Sequence, residues 1–475
     1  MKQFAHIALL LLSATAALAH DPVRFDAYFA DKTMRVDYFH TGDVDEEIVS
    51  LDRVVSDGPW AGSRTRLLDD TNLGKYFFVV IDPRTNQPIY SRGFASIYGE
   101  WETTEEAREM RRTFHESLRF PWPKKPVQVV LQKRDRAGAF HELWSTTIDP
   151  NSRFVNPADL KPIGKVWTLL ENGPASTKVD LLVLGEGYTE KELPKFHADA
   201  KRLVDKLFAT EPFKSRKSDF NVRAIDLPAA ESGVNRARAK QFRRNQVGTE
   251  FNIFDSERYV LTYENKALRD VASAAPYEFI EILVNEKQYG GGGIHNFQAT
   301  SSVDSAFAEY VFVHEFGHHF AGLGDEYYTS PVSYITGASA EHPEPWEPNI
   351  TALHDPAMLK WRDLVDGDTP LPTPWDKETF EEKSRAFQQR RRELRAKRVA
   401  ESVMDDFFDE VKASDTSLLG GQKWAGKAGA FEGASYEAKG LSRPEADCIM
   451  FTRDDVGFCR VCRRGIERVI DQYAR

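Results

Sequence analysis

Among the twelve histidines of the chain, two stand four residues apart in the run His314-Glu315-Phe316-Gly317-His318, with a carboxylate directly after the first. On an α-helix, at about 1.5 Å and about 100° per residue, positions four apart lie about 6 Å along the axis and about 40° around it, so both imidazoles leave one face. Two rings so placed suit a single zinc ion. Glu315 points to the flank of that face, where its carboxylate can reach a metal-activated water without joining the ligands. The chemistry expected of the run is zinc-dependent hydrolysis.

A catalytic zinc takes three protein ligands and keeps one position open for water. In metzincin-type proteases a glycine breaks the helix three residues after the second histidine, and a His or Asp ligand follows at six. Those positions are Ala321 and Gly324 here, and Gly324 has no side chain to offer. Gly322 and Asp325 stand one residue further on, both shifted alike, as a turn longer by one residue would place them. Asp325 is the expected third ligand, with Glu326 beside it as the alternative and a glutamate from a distant helix still open. Ser302, Asp304 or Ser305 can cap a helix that runs to about Phe320. Phe307, Val311, His314 and His318 share its buried stripe, while His319 falls off it and reads as structural.

The string from His314 to Tyr327, HEFGHHFAGLGDEY, resembles the signature of the IgA-peptidase-like family of secreted bacterial metallopeptidases. Similar stretches are Leu182-Val183-Leu184-Gly185-Glu186-Gly187-Tyr188-Thr189, the run from Gly429 to Gly440, Cys448-Ile449-Met450, and Phe458-Cys459-Arg460-Val461-Cys462. The resemblance covers most of the chain. It implies a zinc endopeptidase outside the cytoplasm, with a β-rich N-terminal domain and a protein or peptide substrate that need not be immunoglobulin A. It also implies that Met450 forms the tight turn beneath the metal, where a thioether cushions the histidines. Glu315 would then take a proton from water as it attacks the scissile carbonyl and pass it to the leaving amine. Tyr327, Tyr328 and His295 are candidates to assist at the oxyanion.

The elements that must position this set follow from hydrophobic period. Residues 20–150 are mostly β, with alternation at Met34-Arg35-Val36-Asp37-Tyr38-Phe39 and apolar runs at 76–81 and 127–131, and only Thr103 to Leu118 looks helical. A β-sandwich accessory domain is expected there. After a linker from about residue 151, residues 160–475 are expected to form the catalytic domain, so that the class is α+β: a β-sandwich followed by a metzincin-like α/β zinc metallopeptidase domain. Val179–Leu184, Phe220–Ile225 and Phe279–Val284 read as strands, and Thr189 caps a helix that extends to Thr210. The segment Gly290-Gly291-Gly292-Gly293-Ile294-His295-Asn296-Phe297 reads either as an edge strand beside the cleft, open to an extended peptide, or as a flexible loop. Residues 377–413, dense in both signs of charge, look like an insertion forming one long solvated helix.

Lys2, the run Ile7-Ala8-Leu9-Leu10-Leu11-Leu12 and Ala17-Leu18-Ala19 match a secretory signal cleaved after Ala19. That run is too short to cross a bilayer core of about 30 Å, and no later segment is expected to span one. Export to the periplasm or beyond is expected. Removing residues 1–19 takes the formal charge from -10 to -11, which argues against nucleic acid as a partner. Of the three cysteines, Cys448, Cys459 and Cys462, two are expected to pair in an exported protein, with a redox-active CxxC or half a zinc site as the alternatives. Two other functions remain compatible with the same residues: a zinc hydrolase of non-peptide amides such as cell-wall material, and a secreted binding protein with a structural zinc. Glu315 speaks against the last, because a structural site has a fourth protein ligand and no base.

Overall fold

The computed structural model describes residues 23–330, 332–335 and 341–474, so the expected signal segment lies outside the described residues. The N-terminal part contains β1 (Phe29–Gly42), β2 (Glu47–Ser56), β3 (Tyr76–Asp82), β4 (Gln87–Phe94), β5 (Arg112–Pro123), β6 (Val127–Arg134), β7 (Phe140–Ile148) and the short β8 (Val155–Asn156). They form two four-stranded sheets, ordered β5-β1-β2-β8 and β4-β3-β6-β7. Alternating residues turn inward from both, and Val36, Tyr38 and Leu118 of the first sheet share a core with Phe78, Val80 and Val129 of the second. The helix expected over Thr103 to Leu118 is not formed. Two short helices, Ile97–Trp101 and Glu106–Glu109, precede β5, whose buried Phe114, Glu116, Leu118 and Phe120 follow the period of two that a strand needs.

Beyond β9 (Lys165–Leu170) the chain builds a six-stranded sheet, ordered β15-β16-β14-β10-β11-β9. β10 (Val179–Glu186), β11 (Phe220–Asp226), β14 (Phe279–Val284) and β16 (Gln298–Ser302) pair in parallel, and antiparallel β9 and β15 (Gly291–Ile294) flank them. Every residue of β10 and β14 is buried, as expected where helices cover both faces of a parallel sheet. Leu181 and Val183 face the helix Leu193–Leu207 and the helix Ala308–Ala321, and Leu182 and Leu184 face the helix Asn265–Ala272. Thr189 and Glu192 form a reciprocal capping box at the entry to Leu193–Leu207. A small ribbon of β12 (Thr249–Phe251) and β13 (Val260–Thr262) and a hairpin of β17 (Phe431–Ala434) and β18 (Glu437–Arg443) complete the strands described.

Residues 377–413 do not form one solvated helix. Two helices, Lys377–Ala396 and Glu401–Gly420, fold back on each other, and Phe387, Leu394, Met404, Phe407 and Phe408 pack with Phe307 and Val311 at the start of the Ala308–Ala321 helix. Phe380, Phe387 and Leu394 recur every seven residues, a sparse apolar seam that the surrounding charge conceals.

The two halves of the chain are joined through buried charge. Arg35 of β1 is fully enclosed, bonded to Asp37 and Asp57 and to Asp270 on the helix Asn265–Ala272. Arg53 grips the same Asp270 at 2.8 Å. Among the described residues no helix is long and apolar enough to cross a membrane.

Candidate metal centre and active site

The helix Ala308–Ala321 begins after Phe307, which caps with its backbone alone; of the three expected caps, Ser305 accepts from the Phe307 amide through Oγ at 3.3 Å and from the Ala308 amide through its carbonyl oxygen at 3.0 Å. Its far end decides the site. Gly322 adopts a left-handed conformation (φ 59°), and a Cβ there would lie 2.6 Å from Trp346, so glycine is required on both conformational and steric grounds. The chain turns back after it and brings Asp325 over the histidine face.

Three donor atoms converge there. Nε2 of His314 and Nε2 of His318 are 3.1 Å apart, and Oδ1 of Asp325 is 3.1 Å from the first and 3.2 Å from the second. Ligands held about 2.0–2.1 Å from a tetrahedral zinc ion are separated by about 3.3–3.4 Å, close to this triangle. The outward nitrogens are committed elsewhere: His314 Nδ1 lies 2.9 Å from the carbonyl oxygen of Ile449, and His318 Nδ1 lies 2.5 Å from that of Leu323. Such carbonyls fix the tautomer that leaves Nε2 free to ligate. The Tyr436 hydroxyl donates to Oδ2 of Asp325, while the buried Oδ1 meets the two Nε2 atoms, which donate to it only when protonated. A buried carboxylate oxygen without a donor is costly unless a cation meets it. The residues present therefore fit a divalent metal.

Burial opposes charge on both His318 and Asp325, but each outweighs that cost for the other: His318 is pushed up to about 9 and Asp325 is held well below the carboxylate range. Burial raises Glu315, and the two imidazoles only partly offset it. Behind it Glu281 of β14 is fully buried, with neither carboxylate oxygen partnered and its pKa driven well up by burial and by Glu315.

Glu326, the alternative ligand, points away from this triangle. Its Oε1 accepts from Asn349 at 2.9 Å and lies 3.3 Å from the sulfur of Cys462. His319 is structural, with Nδ1 3.0 Å from the Ile294 carbonyl oxygen and Nε2 accepting from the Ile280 amide. Met450 is fully buried, and a Cβ on Gly317 would come within 3.1 Å of its sulfur, so the thioether lies against the helix between the two histidines. Tyr327 accepts from Arg258 at 3.1 Å beside the site, and His295, lowered to about 4 by burial, lines the same cleft. Tyr328 packs away from it, against Phe380 and Phe451.

The cleft holds about 650 Å³ and is lined by His314, Glu315, His318 and Asp325, by β15, and by Glu100 of the N-terminal part. β15 lies flush on the helix: a Cβ at Gly293 would sit 2.3 Å from the Glu315 carbonyl oxygen, and one at Gly291 3.1 Å from Glu315 Cγ. The glycine run is thus an edge strand, and glycine is what lets it touch the helix. Residues 167–470 match the family model described as IgA Peptidase M64.

The chain belongs to the IgA peptidase M64 family.

Residues 24–145 match the model for the N-terminal region of the same family, described as Peptidase M64 N-terminus. No curated protein matches the chain significantly. As an M64 peptidase the chain is a metallopeptidase that hydrolyses peptide bonds. Tyr436 escaped the sequence reading, although it lies inside the family-like run from Gly429 to Gly440. It and Ser435 both take left-handed backbone at the tip of the β17–β18 hairpin (φ 66° and 48°), a conformation unfavourable for a tyrosine that here aims its hydroxyl at Asp325. Glu281 was hidden because a single acid in an apolar strand carries no periodic signal. The expected cysteine pair is absent: Cys448, Cys459 and Cys462 are all free and buried.

Proposed function

We propose that this M64 peptidase is an exported, zinc-dependent endopeptidase in which His314, His318 and Asp325 hold the metal and Glu315 is the general base. The reading rests above all on the triangle of Nε2, Nε2 and Oδ1 with one side open to the cleft. When bound, zinc would supply Lewis acidity that polarises a carbonyl and lowers the pKa of water to about 7. Glu315, raised by burial, is suited to accept the proton of the attacking water and to deliver it to the leaving amine. Tyr436 positions Asp325, and the carbonyl oxygens of Ile449 and Leu323 orient the imidazoles. An extended peptide can run along the cleft beside Gly293 of β15; at Gly291 the outer edge of that strand is already bridged to Tyr259, with the Gly291 amide donating to the Arg258 carbonyl oxygen at 3.1 Å. The two N-terminal sheets are read as a β-sandwich accessory domain, and the catalytic part as metzincin-like. Residues 1–19 are read as the signal for export, which amino-terminal sequencing of protein from the extracytoplasmic fraction tests by finding His20 first.

The activity is tested on a mixed peptide library with native protein, chelator-stripped protein and stripped protein resupplied with zinc. Cleavage is expected in the first and third only. Cleavage by the stripped protein would overturn the zinc assignment, and release of fragments from peptidoglycan but not from peptides would favour an amidase.

A further inference from the structure

Directly behind the cleft a second set of metal-binding side chains comes together that the peptidase chemistry does not use. Glu326, Cys448, Cys459 and Cys462 each bring one donor atom to a common point, all within 4.8 Å of one another. All four are buried, with Cys448, Cys462 and Glu326 fully enclosed. The sulfurs of Cys448 and Cys462 are 3.9 Å apart, and the sulfur of Cys462 is 3.3 Å from Oε1 of Glu326. Tetrahedral zinc with sulfur at about 2.3 Å and oxygen at about 2.0–2.2 Å spaces two sulfurs by about 3.8 Å and a sulfur and an oxygen by about 3.5 Å. A disulfide would need about 2.05 Å.

Glu326 supplies an independent sign. Its Oε2 is buried with no hydrogen-bond partner, beside three thiols that are poor donors. The Cys459 sulfur accepts from the Cys462 amide at the start of the helix Arg460–Tyr473, where the positive end of the helix dipole favours a thiolate. The guanidinium of Arg443, fully buried, acts on both Glu326 and Cys448 and offsets the negative charge of such a set.

We propose that Glu326, Cys448, Cys459 and Cys462 form a second, closed, structural zinc site that ties three segments together behind the active centre. Three thiolates and one carboxylate fill a tetrahedral shell and leave no position for water, which marks a structural site. The residues it joins are neighbours of those that build the first site. Glu326 follows Asp325, and its amide donates to the Met450 carbonyl oxygen at 2.8 Å. Cys448 precedes Ile449, whose carbonyl oxygen orients His314. Cys459 and Cys462 anchor this turn to the last helix. The second ion thus holds the loop that supports the first, and the proposal does not depend on which residue is the base in the cleft.

The test is metal analysis and zinc X-ray absorption on the purified full-length protein, prepared without chelator. Two zinc ions per chain are expected, with sulfur neighbours at about 2.3 Å contributed by one of them. The double variant His314→Ala/His318→Ala should retain one ion with a sulfur-rich shell, and Cys462→Ser should lose that shell. One ion per chain with only nitrogen and oxygen neighbours would overturn the proposal, as would a Cys448–Cys462 disulfide in an unreduced digest. If Cys462→Ser does not fold, the native protein and the histidine variant still decide. Failure of the cleft assignment reads differently, because the histidine variant would then keep both ions.

Discussion

The Tyr436 hydroxyl donates to Oδ2 of Asp325, so the carboxylate presents Oδ1, and not an averaged pair of oxygens, to Nε2 of His314 and His318 at 3.1 and 3.2 Å. Removing an outer partner of this kind typically weakens metal affinity about 10–100-fold. Tyr436→Phe is therefore expected to keep the fold and bind zinc more weakly by about that factor, as read by competition with a chromogenic chelator. Unchanged affinity would show that Asp325 needs no such support.

Asp325 itself should be indispensable for the metal. Asp325→Ala leaves two imidazoles, too few for a stable site, and is expected to lose the cleft zinc on dialysis while the thiolate-bound ion stays. Elemental analysis before and after dialysis checks this, and full retention would move the third ligand to another segment.

Glu315 brings a carboxylate oxygen within 4.8 Å of a ring nitrogen of His314 and of His318, so metal content separates its role as base from that of a ligand. Glu315→Ala is expected to hold zinc normally and to lower kcat by about 10²–10⁴-fold, the usual contribution of a positioned base. Metal content and peptide turnover on one preparation decide it.

His40 carries a pH prediction remote from the metal. Its ring nitrogens lie 2.8 Å from Glu116 and 2.7 Å from Glu47, and although burial opposes its charge these acids raise it to about 9. The unfolded value is about 6.5, so this stabilisation is fully present below pH 6.5 and is lost as pH rises through 9, an effect of about 3 kcal/mol. Against burial, His40 and Lys133 hold the partner Glu47 down to about 2, so it titrates far below that window. Urea midpoints should fall between pH 6 and pH 10 for the native protein and change less for His40→Gln. Equal slopes would show that the buried pair adds nothing.

Arg35 tests the junction between the two halves. Arg35→Met would leave Asp37, Asp57 and Asp270 without their shared cation, although Arg53 and Arg119 still bond to them, a loss expected to cost at most about 3–5 kcal/mol. Denaturation monitored by tryptophan fluorescence measures it. Adding Asp270→Asn should recover part of the loss if the charge, and not the packing, is responsible.

Several of these features are legible one residue at a time. The spacing of His314 and His318, the matched shift of Gly322 and Asp325, and the apolar runs that became β10, β11 and β14 are local patterns, set by helix pitch, by the steric needs of a left-handed turn and by burial on both faces of a sheet. Glycines 291 and 293 could be read as a close approach, but which backbone approaches them is known only from the fold.

What tertiary structure alone decided lies in contacts between residues far apart in the chain. Asp325 and Glu326 are equivalent in sequence; one faces the imidazoles and the other the cysteines because the turn after Gly322 sends consecutive side chains to opposite sides. Tyr436 reaches Asp325 across 111 positions, and Cys462 reaches Glu326 across 136. The charged segment 377–413 hid its apolar seam because a few buried residues per turn pair suffice to dock a helix, while the exposed faces set the average composition. Local sequence determines backbone conformation and ligand type; only packing brings distant donor atoms within the few ångströms that a metal ion requires.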